Sequence, residues 1–246
     1  MRDRCPGKTG AGVSGRSVVL KSVWNDRVDD GYKRQVNVGR PWYDFAERLV
    51  AGLHQSDVQA LDVGCGLGEF LDRLSARGYQ CTGYDGERSY VEGLSERGMS
   101  GSVVNLEDGL PGENGSFGLV SMLEVVEHVA RAEPLLADVF RLLEPGGYFV
   151  VSTPNVVYWR NRLSFLFGAD LPGEGTHLRF FSRARLRGML IRAGFEVVEE
   201  AHFGPLTGAN VVRSVLGKTR LDVRIPSCVA GWLAYNLLFL ARRPCE

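Results

Sequence analysis

From residue 58 onward the chain alternates two kinds of hydrophobic pattern. Short apolar runs read as strands, and runs with apolar residues three and four apart read as amphipathic helices. The strand pattern falls on residues 58–63, 80–85, 101–105, 118–123 and 148–152. Helical patterns lie between them at 69–77, 89–97 and 133–143. Glu144-Pro145-Gly146-Gly147 reads as a stop and turn before the fifth strand. A further helix is predicted at 182–193, closed by Gly194, then a strand at 195–203 and a last strand near 236–242. Such alternation predicts right-handed βαβ crossovers and an α/β fold: a Rossmann-like, doubly wound parallel sheet with helices on both faces.

The flanks read differently. Pro41 opens a helical pattern that runs to Leu53, with Phe45, Leu49 and Leu53 on one face. Residues 1–22 are rich in Gly, Ser, Arg and Lys and read as a flexible tail; 23–57 reads as an N-terminal helical cover. The main domain is then 58–246, interrupted by insertions at about 155–181 and 203–233. In the first insertion Trp159, Leu163 and Leu166 share a helical face, with Arg160 and Arg162 beside it. That segment reads as a lid packed on the domain, or as an amphipathic element that touches a membrane or a lipid-linked substrate.

Charge and cysteine usage narrow the function classes. Lys plus Arg equals Asp plus Glu at 29 each, so no net field favours nucleic acid. The five cysteines are scattered, form no CxxC pair and share no zinc-like spacing with the four histidines. Reduced thiols, a cytoplasmic location and no metal are the simplest expectation. The longest apolar stretch, 228–241, is interrupted by Asn236 and is too short to span a bilayer. Gly7-Lys8-Thr9 mimics the end of a phosphate-binding loop but lacks the glycine and the strand that such a loop needs.

The richest segment is Leu61-Asp62-Val63-Gly64-Cys65-Gly66-Leu67-Gly68-Glu69-Phe70. An apolar run enters a turn with glycine at every second position, and an amphipathic run leaves it. That is the strand, turn and helix start that brings a backbone close to a nucleotide-like ligand. A dinucleotide fingerprint would carry its third glycine at 69, where this chain has Glu69. In an open parallel sheet the ligand sits at the carboxyl ends of the strands. Asp62 lies near the end of the first strand, as cofactor contact or as organiser of the turn. Asp85, followed by Gly86, ends the second, at the distance where a carboxylate accepts ribose hydroxyls. Asn105 ends the third strand and can read an adenine amino group, with Leu106 against the ring. The fourth runs through Leu123 into Glu124-Val125-Val126-Glu127-His128-Val129.

The G-x-G-x-G turn after Leu-Asp-Val resembles the first motif of class I S-adenosylmethionine-dependent methyltransferases. Glu124-Val-Val-Glu127-His128-Val129 is similar to the corresponding segment of ubiquinone-biosynthesis-type O-methyltransferases. So are the region from Leu142 to Asn155 and His177-Leu178-Arg179-Phe180-Phe181-Ser182. Residues 155–167 also resemble methionine-biosynthesis-protein-W-like methyltransferases. The resemblance covers about 58–200. It implies a seven-stranded sheet whose last strand is antiparallel, S-adenosylmethionine as donor and S-adenosylhomocysteine as product. It also implies a small-molecule acceptor, with a hydroxyl of a secondary metabolite, sugar or quinone-like compound favoured. Cofactor contacts are then expected from Asp62, Gly64, Cys65, Gly66, Gly68, Asp85, Gly86, Asn105, Leu106, Leu123 and Glu124.

A hydroxyl acceptor needs a base, and histidine suits that task near neutral pH. His128 follows the fourth strand and His177 lies in the insertion; both are candidates. His54 and His202 read as structural. Two rivals stay open: a non-catalytic cofactor-binding partner subunit, and an NAD-dependent oxidoreductase on a similar sheet. No transmembrane segment is expected, peripheral contact with a membrane stays open, and a monomer and a homodimer fit equally.

Overall fold

The structure, a computed structural model of the 246-residue chain, describes residues 41–53, 58–170, 176–205, 210, 216 and 221–245. All of them lie in one compact unit, Gly39–Glu246. The expected tail, much of the N-terminal cover and His54 lie outside the described residues.

The elements run α1 (Pro41–Val50), β1 (Gln59–Val63), α2 (Glu69–Ser75), β2 (Gln80–Asp85), α3 (Arg88–Ser95), β3 (Ser100–Val103) and β4 (Phe117–Leu123). A 3₁₀ turn at Val126–His128 leads to α4 (Ala132–Leu142), β5 (Leu143–Pro154), α5 (Trp159–Leu166) and α6 (Arg183–Arg192). The chain ends with β6 (Glu196–Glu200), β7 (Phe203–Pro205), β8 (Asp222–Arg224), α7 (Ala230–Leu233) and β9 (Asn236–Arg242).

The first five strands pair in parallel in the order β3-β2-β1-β4-β5. β9 then pairs antiparallel with β5 on one side and β6 on the other. The parallel sheet is thus the one the pattern implied, and the late antiparallel strand the one the resemblance implied. Two three-residue strands, β7 and β8, extend it to nine among the described residues.

Alternation along the strands sorts the core onto two faces. Leu61, Val63, Val120, Met122, Phe149, Val151, Leu237 and Phe239 pack against α4 and α6. Ala60, Leu119, Leu123, Val150, Leu238 and Leu240 pack against α1, α2 and α3. On α2 the buried residues are Phe70, Leu71 and Leu74, and on α4 Leu135, Leu136, Val139 and Leu142, which is the spacing of one helical stripe.

Two details depart from the sequence expectation. Glu144-Pro145-Gly146-Gly147 is not a turn before β5 but an irregular stretch inside it. Phe117 already pairs with Leu143, and the register shifts before Leu119 pairs with Tyr148. Likewise the strand expected over 195–203 breaks between β6 and β7. There Ala201 donates to Leu238 O at 3.0 Å, and the Leu238 amide donates to the ring Nδ1 of His202 at 3.3 Å. A buried imidazole thus takes the place of a ladder carbonyl, which gives His202 the structural part expected of it.

The first insertion forms α5, none of whose residues is buried. It is tied down near its start. Asn161 donates to Asn155 O and Val156 O at 3.2 Å each, and Arg162 lies 4.0 Å over the Trp232 ring of α7. Among the described residues no helix is long and apolar enough to cross a membrane.

Candidate functional site

The carboxyl ends of β1, β2 and β4 gather the expected groups at one edge of the sheet. After β1, Gly64, Gly66 and Gly68 all have positive φ, at 73°, 53° and 77°. A side chain at Gly64 would place its Cβ 2.5 Å from a Val125 methyl; one at Gly68 would meet Leu94 at the same distance. At Gly66 nothing among the described residues lies within 4 Å, so the middle of the turn is open on that side. The amides of Gly64 and Cys65 donate to Tyr84 O at 2.7 and 3.1 Å, which fixes the turn to β2.

Asp85 organises the same turn. Its Oδ2 accepts the Gly66 amide at 2.8 Å and its Oδ1 accepts the Glu87 amide at 2.9 Å. Burial pushes its carboxyl up and the backbone amides pull it down, with burial prevailing. Each oxygen keeps acceptor capacity for a hydroxyl. Among the described residues, a Cβ added at the neighbouring Gly86 would come no closer to any atom than 3.7 Å, to Val104 O.

The other residues expected to meet the cofactor have these surroundings. Asp62 is buried within β1, and its carboxyl accepts from Ser121 Oγ of β4 at 2.6 Å. Burial raises it to about 7. Ser121 lies inside the sheet, so the Asp62 carboxyl ties β1 to β4 just before the turn. Cys65 is buried, and burial pushes its thiol upward, which makes it inert as a nucleophile. The Asn105 amide is engaged locally: it donates to Asp108 at 2.8 Å and accepts from the Glu107 amide at 3.3 Å. Leu106 packs half-buried against the core, while Leu123 points its side chain into the opposite face. What Leu123 can offer a ligand is main chain.

The end of β4 carries the second group. Glu124 has φ 58° and is the one non-glycine among the described residues with positive φ. Its Oε1 accepts from Ser152 Oγ at 2.6 Å, and its Oε2 from Asn236 Nδ2 at 2.8 Å. Glu127 is buried and accepts from Thr153 at 2.9 Å; burial, then the charge of Glu124, pushes its carboxyl well up.

His128 Nδ1 lies 2.9 Å from Thr176 O, so that nitrogen carries the proton and Nε2 carries the lone pair. Nε2 lies 3.9 Å from Glu127 Oε1, and the His177 ring stands edge-on at 4.9 Å. Burial lowers His128 to about 4, so its ring is neutral near pH 7. The amides of Leu178 and Arg179 donate to Glu127 O at 2.8 and 3.0 Å, and Arg179 Nε donates to Ala130 O at 2.9 Å. These bonds strap the His177 segment across the turn that bears His128. Glu107 braces the far side by accepting the Ala130 amide at 2.6 Å.

The sequence pattern predicts no metal cluster. The fold nevertheless brings ligand atoms of Glu127, His128 and His177 within 4.8 Å of one another, a set that can hold a divalent cation. Nor does the pattern point to Ser121, Ser152 or Asn236. Of these, Asn236 left a trace, as the one amide in an apolar run.

The parts fit a nucleoside cofactor with an amino-acid tail: glycine amides beside open space, and a carboxylate with acceptor capacity left over. With the sheet order, they define the class I S-adenosylmethionine-dependent methyltransferases. The family model described as a methyltransferase domain matches residues 32–200, and the chain belongs to that family.

Among curated relatives it is 34% identical over 171 residues to a ubiquinone biosynthesis O-methyltransferase of Psychrobacter arcticus, covering 61% of this chain and 64% of that protein. It is thus matched to just under two thirds of that relative's length. It is 32% identical over 193 residues to the same-named protein of Psychrobacter cryohalolentis, covering 70% and 72%. The fold is shared with the 1,6-didemethyltoxoflavin-N1-methyltransferase of Burkholderia thailandensis, solved with S-adenosylhomocysteine bound (TM-score 0.61, 20% identity, 97% of this chain and 93% of that one). It is also shared with an S-adenosylmethionine-dependent methyltransferase of Mesorhizobium loti (TM-score 0.58, 20% identity, 80% and 98%).

Proposed function

We infer that this protein methylates a hydroxyl oxygen of a small-molecule acceptor, with His128 as the base that takes the hydroxyl proton. S-adenosylmethionine supplies a methyl group already activated on a sulfonium sulfur. The chain must then bind the donor, align the acceptor and remove one proton. The glycine turn and Asp85 serve the first task. His128 serves the last, and the single observation that carries the reading is geometric: Nδ1 is held by Thr176 O, which leaves the lone pair on Nε2. His177, edge-on beside it, orients the acceptor or shares the proton.

The names of the curated relatives support oxygen as the acceptor atom. The exposed apolar face of α5, with Leu163 and Leu166, supports an apolar acceptor met at a membrane surface. The test is methyl transfer from labelled donor to matched panels of hydroxylated and amine-bearing small molecules. Label in the hydroxylated set supports the reading. Label confined to amines moves the acceptor atom to nitrogen, and cofactor binding without transfer to either favours a binding subunit.

The Glu127, His128 and His177 group supports a second reading, in which a divalent cation there acidifies the hydroxyl. Activity that survives exhaustive chelation keeps the proton with His128. Activity lost on chelation and restored by a divalent cation assigns the three side chains to the ion.

A further inference from the structure

Asn236 opens β9, whose next five residues are apolar and fully buried. Its own side chain is 1% exposed. The amide donates from Nδ2 to Glu124 Oε2 at 2.8 Å, and its Oδ1 has no partner among the described residues. Rotating the amide would turn Oδ1 toward a carboxylate oxygen, so the orientation is fixed by the acceptor it faces. An orphaned buried carbonyl keeps its desolvation penalty, which an apolar residue at this position would avoid.

The partner is strained as well. Glu124 holds a left-handed backbone that is strained in a non-glycine residue and persists where its surroundings over-determine it. Those surroundings include two neutral donors on different strands. Ser152 of β5 donates to Oε1 and in turn accepts the Glu124 amide at 3.2 Å; Asn236 of β9 donates to Oε2. Both carboxylate oxygens are thus pinned, each from its own strand. The residue that follows, Val125, is the one packed against the glycine turn at Gly64, and His128 lies four residues beyond Glu124, so the pinned residue is joined through the chain to both.

We propose that Asn236 is a positioning residue for methyl transfer, which with Ser152 clamps the Glu124 carboxylate in the one orientation the cleft uses. The clamp rests on the methyl-transfer reading above. It assigns a role in the site to the strand farthest from it in sequence, and it explains why an amide stands at the start of a strand whose next five residues are apolar.

A double-mutant cycle tests it, because a clamp acts through its object. Asn236→Ala is expected to lower kcat/KM at least tenfold in the wild-type background and less than twofold in a Glu124→Ala background. Its split between kcat and KM is expected to match that of Glu124→Ala. Ser152→Ala, on another strand, is expected to show the same dependence and serves if Asn236→Ala folds poorly. Thermal unfolding is read alongside. A loss of the same size in both backgrounds, or one that follows the loss of folded protein, makes the role structural and overturns the clamp. So does unchanged turnover. Wild-type protein that transfers no methyl to any acceptor sinks the underlying reading, and the clamp's catalytic role with it.

Discussion

The imidazole of His128 stands edge-to-face with that of His177 at 4.9 Å, although a full helix, strand and helix separate them in the chain. Main-chain bonds produce this meeting: the amides after His177 reach back to the carbonyl of Glu127. The two rings are therefore held by one strap, yet they are chemically unequal. His128 has its Nδ1 committed to a carbonyl, which leaves Nε2 as its basic nitrogen.

That inequality predicts different outcomes on truncation. His128→Ala is expected to lower kcat by roughly 10²- to 10⁴-fold, the usual contribution of a positioned base, with S-adenosylhomocysteine affinity unchanged in calorimetry. His177→Ala is expected to cost less. If His177→Ala abolishes turnover while His128→Ala does not, the base is His177.

The pH profile follows from the lowered His128. A base must be unprotonated to act, and with a value of about 4 it stays so well below the ordinary histidine range. The acid limb of kcat/KM is expected below about pH 5 rather than near 6.5. A limb centred at ordinary histidine values would count against His128 as the buried neutral base.

Asp62 gives a stability prediction of definite sign. Its folded value, raised to about 7 by burial, lies above the unfolded one, so the folded state holds the proton more tightly. The stabilisation is complete below the unfolded value and is lost as pH rises through about 7. Relative to Asp62→Asn, which keeps the shape without the charge, wild type is expected to lose up to about 4 kcal/mol between acid and mildly alkaline pH. Parallel curves from denaturant titration would remove Asp62 as the source.

Asp85 ties the glycine turn and has acceptor capacity left for a ligand. Asp85→Ala is expected to weaken S-adenosylhomocysteine binding by roughly 10- to 100-fold, the loss of hydrogen bonds to a charged group. Circular dichroism is expected to show the fold intact. Unchanged affinity would take Asp85 out of the ribose role.

The parallel half of the sheet was legible because short strand-like segments alternate with amphipathic helical ones and are bounded by glycine or polar turns, as at 118–123. Legibility failed where one signal has two structural meanings. Pro-Gly-Gly marks a turn in most contexts, but here Gly146, at φ 85°, bends a strand whose ladder continues. Three-residue strands such as β7 and β8 carry too few positions for an alternation to show.

The site divides the same way. The glycine turn and Asp85 lie close in sequence and carry a spacing that can be read. Asn105 was legible only from its place after the third strand, and its amide also bonds within its own turn, to Asp108 and the Glu107 amide. Ser152 and Asn236 meet Glu124 through strand order alone. No local signal announces that β9 enters between β5 and β6.

The helix α5 has a different consequence. It buries none of its side chains and is secured mainly at its first turn, by Asn161 and Arg162. Folding energy is therefore nearly indifferent to what its outer face carries. Leu163, Leu166 and the neighbouring Phe167 can be exchanged with little penalty to the sheet, and the helix's amides should exchange with solvent long before those of β4 or β5. A segment that follows a strand ending at the cleft, yet owes the core nothing, is where the chain is free to change what it meets.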